Sequence, residues 1–279
     1  MTNPASPLVS TEWLAEHLGE VKVLDATWRM PAEQADPKGD FAKARIPGAV
    51  FFDIDAIADH DTDLPHMAPT PEVFAQMVGA LGIGDGDTVV IYDQVGIMSA
   101  PRAWWTFRLF GHDQVFVLDG GLPKWRAEGG ALESGPAAAP QPATITPRFR
   151  PELVRDVEQV KAMLPAGEQV VDARSAARFT GEAPEPRAGL RGGHMPGAKN
   201  LPFPELIENG TFKTPDQLRA AYEAAGLDLD RPVTASCGSG LTAAILAMGL
   251  ARLGRWDASV YDGSWTEWGG REDTPIVKG

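Results

Sequence analysis

A single cysteine, Cys237, stands in the run Val233-Thr-Ala-Ser-Cys-Gly-Ser-Gly-Leu-Thr242. An apolar, β-branched stretch leads into it, a glycine-rich turn surrounds it, and a helical pattern begins at Thr242. Turns of this kind aim successive backbone N–H groups inward and sit on the positive end of a helix dipole. A sulfur at the centre meets a positive field, which favours the nucleophilic thiolate over the thiol. A free cysteine taken alone is more often a small buried hydrophobe. The glycines on either side of Ser239 and the helix start behind them reverse that preference, and Cys237 reads as a catalytic nucleophile.

Positioning such a turn takes a strand and a helix, and the chain supplies them twice. Val23-Leu-Asp-Ala26 recurs as Val171-Asp-Ala173, with Asp25 matching Asp172. Arg45-Ile-Pro-Gly-Ala49 recurs as His194-Met-Pro-Gly-Ala198, and Leu118-Asp-Gly-Gly-Leu-Pro-Lys-Trp125 as Tyr261-Asp-Gly-Ser-Trp-Thr-Glu-Trp268. The landmarks keep their order at offsets of 143 to 149 residues, so two copies of one domain are expected. The hydrophobic patterns predict strands at 21–24, 88–92 and 115–118, then at 169–171, 232–236 and 259–261. Helices are expected at 70–81, 100–110 and 242–253, with Thr70 as an N-cap and Pro71 at the first helical position.

Strand–helix alternation predicts an α/β fold, each copy a mostly parallel sheet flanked by helices, with ligands at the carboxyl ends of the strands. Cys237 falls at such an end. In the first copy Asp93 closes the matching strand, and Gln94-Val-Gly-Ile-Met98 replaces the glycine turn. One catalytic half and one supporting half follow. The stretch Gly135-Pro-Ala-Ala-Ala-Pro-Gln-Pro142 reads as a linker, giving domains at 1–134 and 151–279 with a connector at 135–150.

Composition narrows the function. With 279 residues, 43% hydrophobic and 23% charged, the chain is an ordinary soluble globular protein. A net charge of −13 argues against nucleic acid as a partner, and makes clustered arginines the place to look for anion binding. One cysteine cannot form an internal disulfide and fits a reducing, cytoplasmic location. The first twenty residues show no basic cluster followed by an apolar run, so no signal peptide is expected. No stretch has membrane-spanning length. No His/Cys/carboxylate cluster has metal-ligand spacing, and no dinucleotide or Walker fingerprint occurs, so no cofactor is expected.

The strand–Cys–loop–helix arrangement resembles the rhodanese domain, and its tandem repetition resembles the two-domain sulfurtransferases, from Leu8 to Trp268. Within that family, Cys237-Gly238-Ser239-Gly240-Leu241-Thr242 is most similar to the members that use 3-mercaptopyruvate, whose loop typically reads Cys-Gly-Ser/Thr-Gly-Val-Thr. Members that use thiosulfate generally carry basic side chains there, and this loop has none. The resemblance implies tandem rhodanese-like domains and transfer of sulfur from 3-mercaptopyruvate through a Cys237 persulfide. Pyruvate leaves, and the acceptor is a thiol such as thioredoxin or glutathione, or cyanide.

The resemblance also implies residue roles. Arg178 and Arg187 would bind the substrate carboxylate, with Gly238, Gly240, Leu241 and Thr242 shaping the substrate loop. Planar guanidinium forks match a carboxylate and keep their charge, which suits a 2-oxo acid. The plainer alternative is two solvent-exposed arginines paired with Glu182 or Glu185, worth little. Asp55, His66 and Ser239 match family positions proposed to cooperate in proton transfer, and Thr242 is expected to cap the helix. Met98 departs from the family, whose members usually carry an aromatic residue there.

Three rival readings compete for these residues. Cys-loop phosphatases need an arginine six positions after the nucleophile, and Ala243 stands there. Thiosulfate sulfurtransferase is the near alternative, disfavoured by the neutral loop. A non-catalytic sulfur carrier or interaction module is the third, disfavoured by Cys237 occurring together with both arginines.

Overall fold

Strands and helices alternate through the computed structural model, which describes residues 5–279. Contacts divide the chain into two units. The first takes Met1–Asp59, Ala68–Arg150 and Asn209–Phe212; the second takes His60–Met67, Pro151–Glu208 and Lys213–Gly279.

The first unit's sheet contains β1 (Leu8–Val9), β2 (Lys22–Asp25), β3 (Val50–Phe51), β4 (Val89–Tyr92) and β5 (Val115–Leu118). Their order is β1-β5-β4-β2-β3, parallel throughout. The second unit's sheet contains β6 (Val154–Arg155), β7 (Gln169–Asp172), β8 (Lys199–Asn200), β11 (Val233–Ser236) and β12 (Ser259–Tyr261). Two-residue strands β9 (Ile207–Glu208) and β10 (Thr211–Phe212) lie outside both five-stranded sheets. The second order, β6-β12-β11-β7-β8, is also parallel and repeats the first strand for strand.

The helices of the first unit are α1 (Thr11–His17), α2 (Pro37–Lys43), α3 (Pro71–Ala80), α4 (Ala100–Leu109) and α5 (Gly121–Ala127). Those of the second are α6 (Val157–Met163), α7 (Ala176–Thr180), α8 (Pro215–Ala224), α9 (Ala243–Arg252) and α10 (Ser264–Gly270). Central strands β4 and β11 are buried along their whole length, and α4 and α9 behind them are buried almost all round. Burial on nearly every side puts these two helices inside their units rather than on the surface, even though α4 carries Arg102 and Arg108. Thr70 Oγ1 accepts the Val73 N–H at 3.3 Å, which fixes the start of α3 with Pro71 at its first position.

The duplicated landmarks are architectural. Arg45 and Glu133 exchange backbone hydrogen bonds, as His194 and Val277 do in the second unit. The indole N–H of Trp125 donates to the Ala131 carbonyl at 2.8 Å, and that of Trp268 to the Pro275 carbonyl at 2.9 Å. The segment read as a linker carries no regular structure but is tied to the first unit. Ala143 N–H donates to Gly79 O at 2.9 Å, Arg148 N–H to Phe110 O at 2.7 Å, and Arg150 N–H to Leu109 O at 2.8 Å. Glycine is needed at 79 because a Cβ there would lie 2.6 Å from the Ala143 carbonyl oxygen.

Candidate active site

Strand β11 ends at Ser236 and delivers Cys237 into the loop before α9. Its neighbours hold this loop by its carbonyls. The Cys237 carbonyl accepts the Trp265 N–H at 2.9 Å; the Gly238 carbonyl accepts from Thr266 N at 2.8 Å and Thr266 Oγ1 at 2.6 Å. The Cys237 N–H donates to Ser264 Oγ at 3.0 Å, and that hydroxyl donates to the Tyr261 carbonyl at 2.8 Å. With the carbonyl oxygens fixed on α10, the Ser239 N–H is the donor that reaches Cys237 Sγ, at 3.4 Å. Gly240 has φ +76°, a left-handed conformation open to glycine at no steric cost.

The loop thus gives the sulfur a backbone N–H donor and sets it ahead of the first turn of α9. Cys237 is 1% exposed, while Gly238 and Thr242 beside it are half-buried. Leu241 is buried as well. One expectation needs correction. Thr242 occupies the N-cap position of α9 but its side chain makes no cap hydrogen bond, because its backbone is already helical at φ −77°, ψ −14°.

Arg178, on α7, comes to this loop: its Nη2 lies 3.0 Å from the point a Cβ on Gly238 would occupy. Its Nε and Nη2 both donate to Glu185 Oε2, at 3.2 and 2.5 Å. Glu185 is the expected ion-pair partner, but the pair is not a solvent-exposed one, since the carboxylate is 1% exposed and the Arg178 side chain 25%. Glu182 is exposed and Arg187 half-buried in the following irregular segment.

His66 is 6% exposed, at a left-handed φ of +61°, and lies in the same compact unit as Cys237 and Ser239. Asp55 is exposed, lies in the first unit, and accepts the Trp28 indole N–H on Oδ2 at 2.9 Å. Reading by sequence neighbourhood puts both in the first copy, so the membership of His66 is new. Ser264, Thr266 and Glu185 are site residues that sequence reasoning missed as such. Ser264 and Thr266 lie inside the Tyr261–Trp268 landmark, whose repetition signals a second domain copy rather than a site. Among the described residues no group of three or more His, Cys, Asp or Glu could hold a metal, and no helix is long and apolar enough to cross a membrane.

A duplicated parallel sheet, with one thiol cradled by backbone at a strand end, defines an α/β protein built for nucleophilic thiol chemistry. The rhodanese-like domain profile matches residues 10–128 and 156–271, and the chain belongs to that family. It is 48% identical over 296 residues to thiosulfate/3-mercaptopyruvate sulfurtransferase 1, mitochondrial, of Arabidopsis thaliana, covering 98% of this chain and 78% of that one. It is 43% identical over 274 residues to the 3-mercaptopyruvate sulfurtransferase of Escherichia coli K12, covering 96% of each. The crystal structure of SseA from Escherichia coli superposes with a TM-score of 0.85 at 41% identity, covering 93% of this chain and 99% of that one.

Proposed function

We propose that this protein is a sulfurtransferase that takes sulfur from 3-mercaptopyruvate, carries it on Cys237 and passes it to a thiol or to cyanide. The observation that carries this reading is the meeting, within one unit, of a backbone-cradled sulfur and a guanidinium beside the next residue. The relatives in Arabidopsis and Escherichia coli are named for the same donor.

The chemistry runs in two displacements. The Cys237 thiolate attacks the donor sulfur; the sulfur–carbon bond breaks and its electron pair stays on carbon as the enolate of pyruvate. The enolate takes up a proton, and Cys237 is left as a persulfide. An acceptor thiolate or cyanide then attacks the outer sulfur and returns Cys237 to the thiolate. Arg178 and Arg187 hold the donor carboxylate by fork geometry, while Gly238, Gly240, Leu241 and Thr242 shape the loop around it. The Ser239 N–H stabilises charge on the sulfur as an oxyanion hole does for oxygen. The proposal assigns proton movement around the Ser239 hydroxyl to His66 and Asp55. A lone catalytic thiol suits a reducing compartment such as the cytoplasm, and thioredoxin, glutathione and cyanide all have the chemistry of the acceptor.

The Arabidopsis relative's name covers thiosulfate as well, so the decisive measurement compares donors. We expect a higher kcat/KM with 3-mercaptopyruvate than with thiosulfate, and a mass increase of about 32 Da, one sulfur atom, that added thiol removes. Cys237→Ser should show neither turnover nor adduct. A preference for thiosulfate would overturn the donor, and activity surviving in Cys237→Ser would overturn the mechanism.

A further inference from the structure

Four ionised side chains of the second unit form a line of alternating sign that ends on the Cys237 loop. Asp172, at the end of β7, accepts Arg174 Nε at 3.1 and 2.9 Å and Arg174 Nη2 at 2.7 Å. Arg174 Nη1 donates to Glu185 Oε1 at 2.7 Å, while the other Glu185 oxygen holds Arg178. Asp172 and Arg174 side chains are fully buried, as Glu185 nearly is. Arg174 also donates to the Gly193 carbonyl at 2.9 Å and lies 4.0 Å over the Trp265 ring. Burial opposes the charge on Arg174, but Asp172 and Glu185 outweigh it and hold the guanidinium above its usual range.

Buried ion pairs are weak evidence for stability, because desolvation can exceed the Coulombic gain. Geometry is what this line supplies. Arg178 projects from a five-residue helix, too short to be rigid alone, on a rotamer-rich side chain. Both bonds that fix it go to one carboxylate oxygen, and Nη1 donates to no other described residue. The first unit serves as a control: its Asp25 matches Asp172, but Thr27 stands in the place of Arg174. Asp25 is met there by neutral groups, the N–H and hydroxyl of Thr27 and the amide of Gln94. The fold therefore forms without the line, and the unit that has it is the one with the thiol.

We propose that Glu185, itself held by Arg174, is a positioning residue that sets Arg178 beside Gly238 to receive the donor's carboxylate. It deepens the proposed function and rests on Arg178 belonging to the carboxylate clamp. The test is steady-state kinetics of the full chain with 3-mercaptopyruvate, together with inhibition by pyruvate, a carboxylate that binds without reacting. Glu185→Gln should raise KM and the pyruvate Ki about tenfold, equivalent to about 1.4 kcal/mol, with kcat within about threefold. Glu185→Asp keeps the charge on a shorter stem and should fall between the two. If Glu185→Gln does not fold, Glu185→Asp decides: a rise of about threefold or more in KM supports the role. Unchanged KM and Ki, or a fall in kcat at constant KM, overturns it. Wild-type enzyme that pyruvate fails to inhibit would instead sink the clamp itself.

Discussion

Asp93 and Cys237 close equivalent strands, and their loops are anchored alike: Leu122 N–H donates to Asp93 O at 3.0 Å as Trp265 N–H does to Cys237 O at 2.9 Å. Their contents differ. Asp93 Oδ1 accepts the N–H groups of Val95 and Gly96, and Oδ2 those of Met98, Ser99 and Ala100, all at 2.8–3.0 Å. In the first unit the cradle is filled for good by a carboxylate attached to the chain. In the second, Cys237 takes the same place and its sulfur accepts the Ser239 N–H at 3.4 Å. The left-handed residue behind each loop differs too. Gly121, at φ +54°, has no room for a side chain, since a Cβ would lie 2.5 Å from Asp93 O. Its counterpart Ser264 takes φ +49° at a cost of about 1–2 kcal/mol and places a hydroxyl on the Cys237 N–H. The same strand–loop–helix frame thus presents backbone N–H groups to a carboxylate in one unit and to a sulfur in the other.

The largest test of that comparison empties the first cradle. Asp93→Ala strands buried N–H donors and should destabilise the protein by about 3–5 kcal/mol, read by denaturant unfolding. Added formate should recover part of the loss. Equal stability with and without formate would mean that the loop merely packs around Asp93. A smaller effect is expected at the second loop. Thr266→Val removes one of two donors on the Gly238 carbonyl, worth about 1 kcal/mol, so kcat/KM should fall about fivefold with little change in Tm. Unaltered kinetics would remove α10 from loop alignment.

The smallest contrast concerns Asp25. Burial raises its carboxyl above the ordinary 3.8, against the opposing bonds from Thr27 and Gln94. A raised folded value means stability that is full below 3.8 and lost as pH rises through the folded value. Asp25→Asn should therefore gain up to about 1 kcal/mol at pH 7 relative to wild type, and the gain should vanish at pH 3. A variant less stable at both pH values would show that the carboxylate is needed for its hydrogen bonds.

Much of this was legible in the residues. Central strands announce themselves by unbroken apolar runs such as Val89–Tyr92, and the repeat marked the two sets as equivalent. Edge strands of two residues, Val50–Phe51 and Lys199–Asn200, are too short to show any period, and α7 and α10 hold too few turns for a helical one. The Cys237 loop was readable because glycine spacing is a local property. The ionic line was not, because nothing in the local residue pattern shows that Glu185 meets Arg174 in the interior. The grouping of His60–Met67 with the second unit was hidden for the same reason, since chain proximity says nothing of which residues a segment contacts.

The near-complete enclosure of Cys237 has a chemical consequence for its upkeep. The sequence offers no second cysteine, so a sulfenic acid formed at this position has no internal partner with which to condense. Return of such a site to the thiol therefore falls to an external reductant.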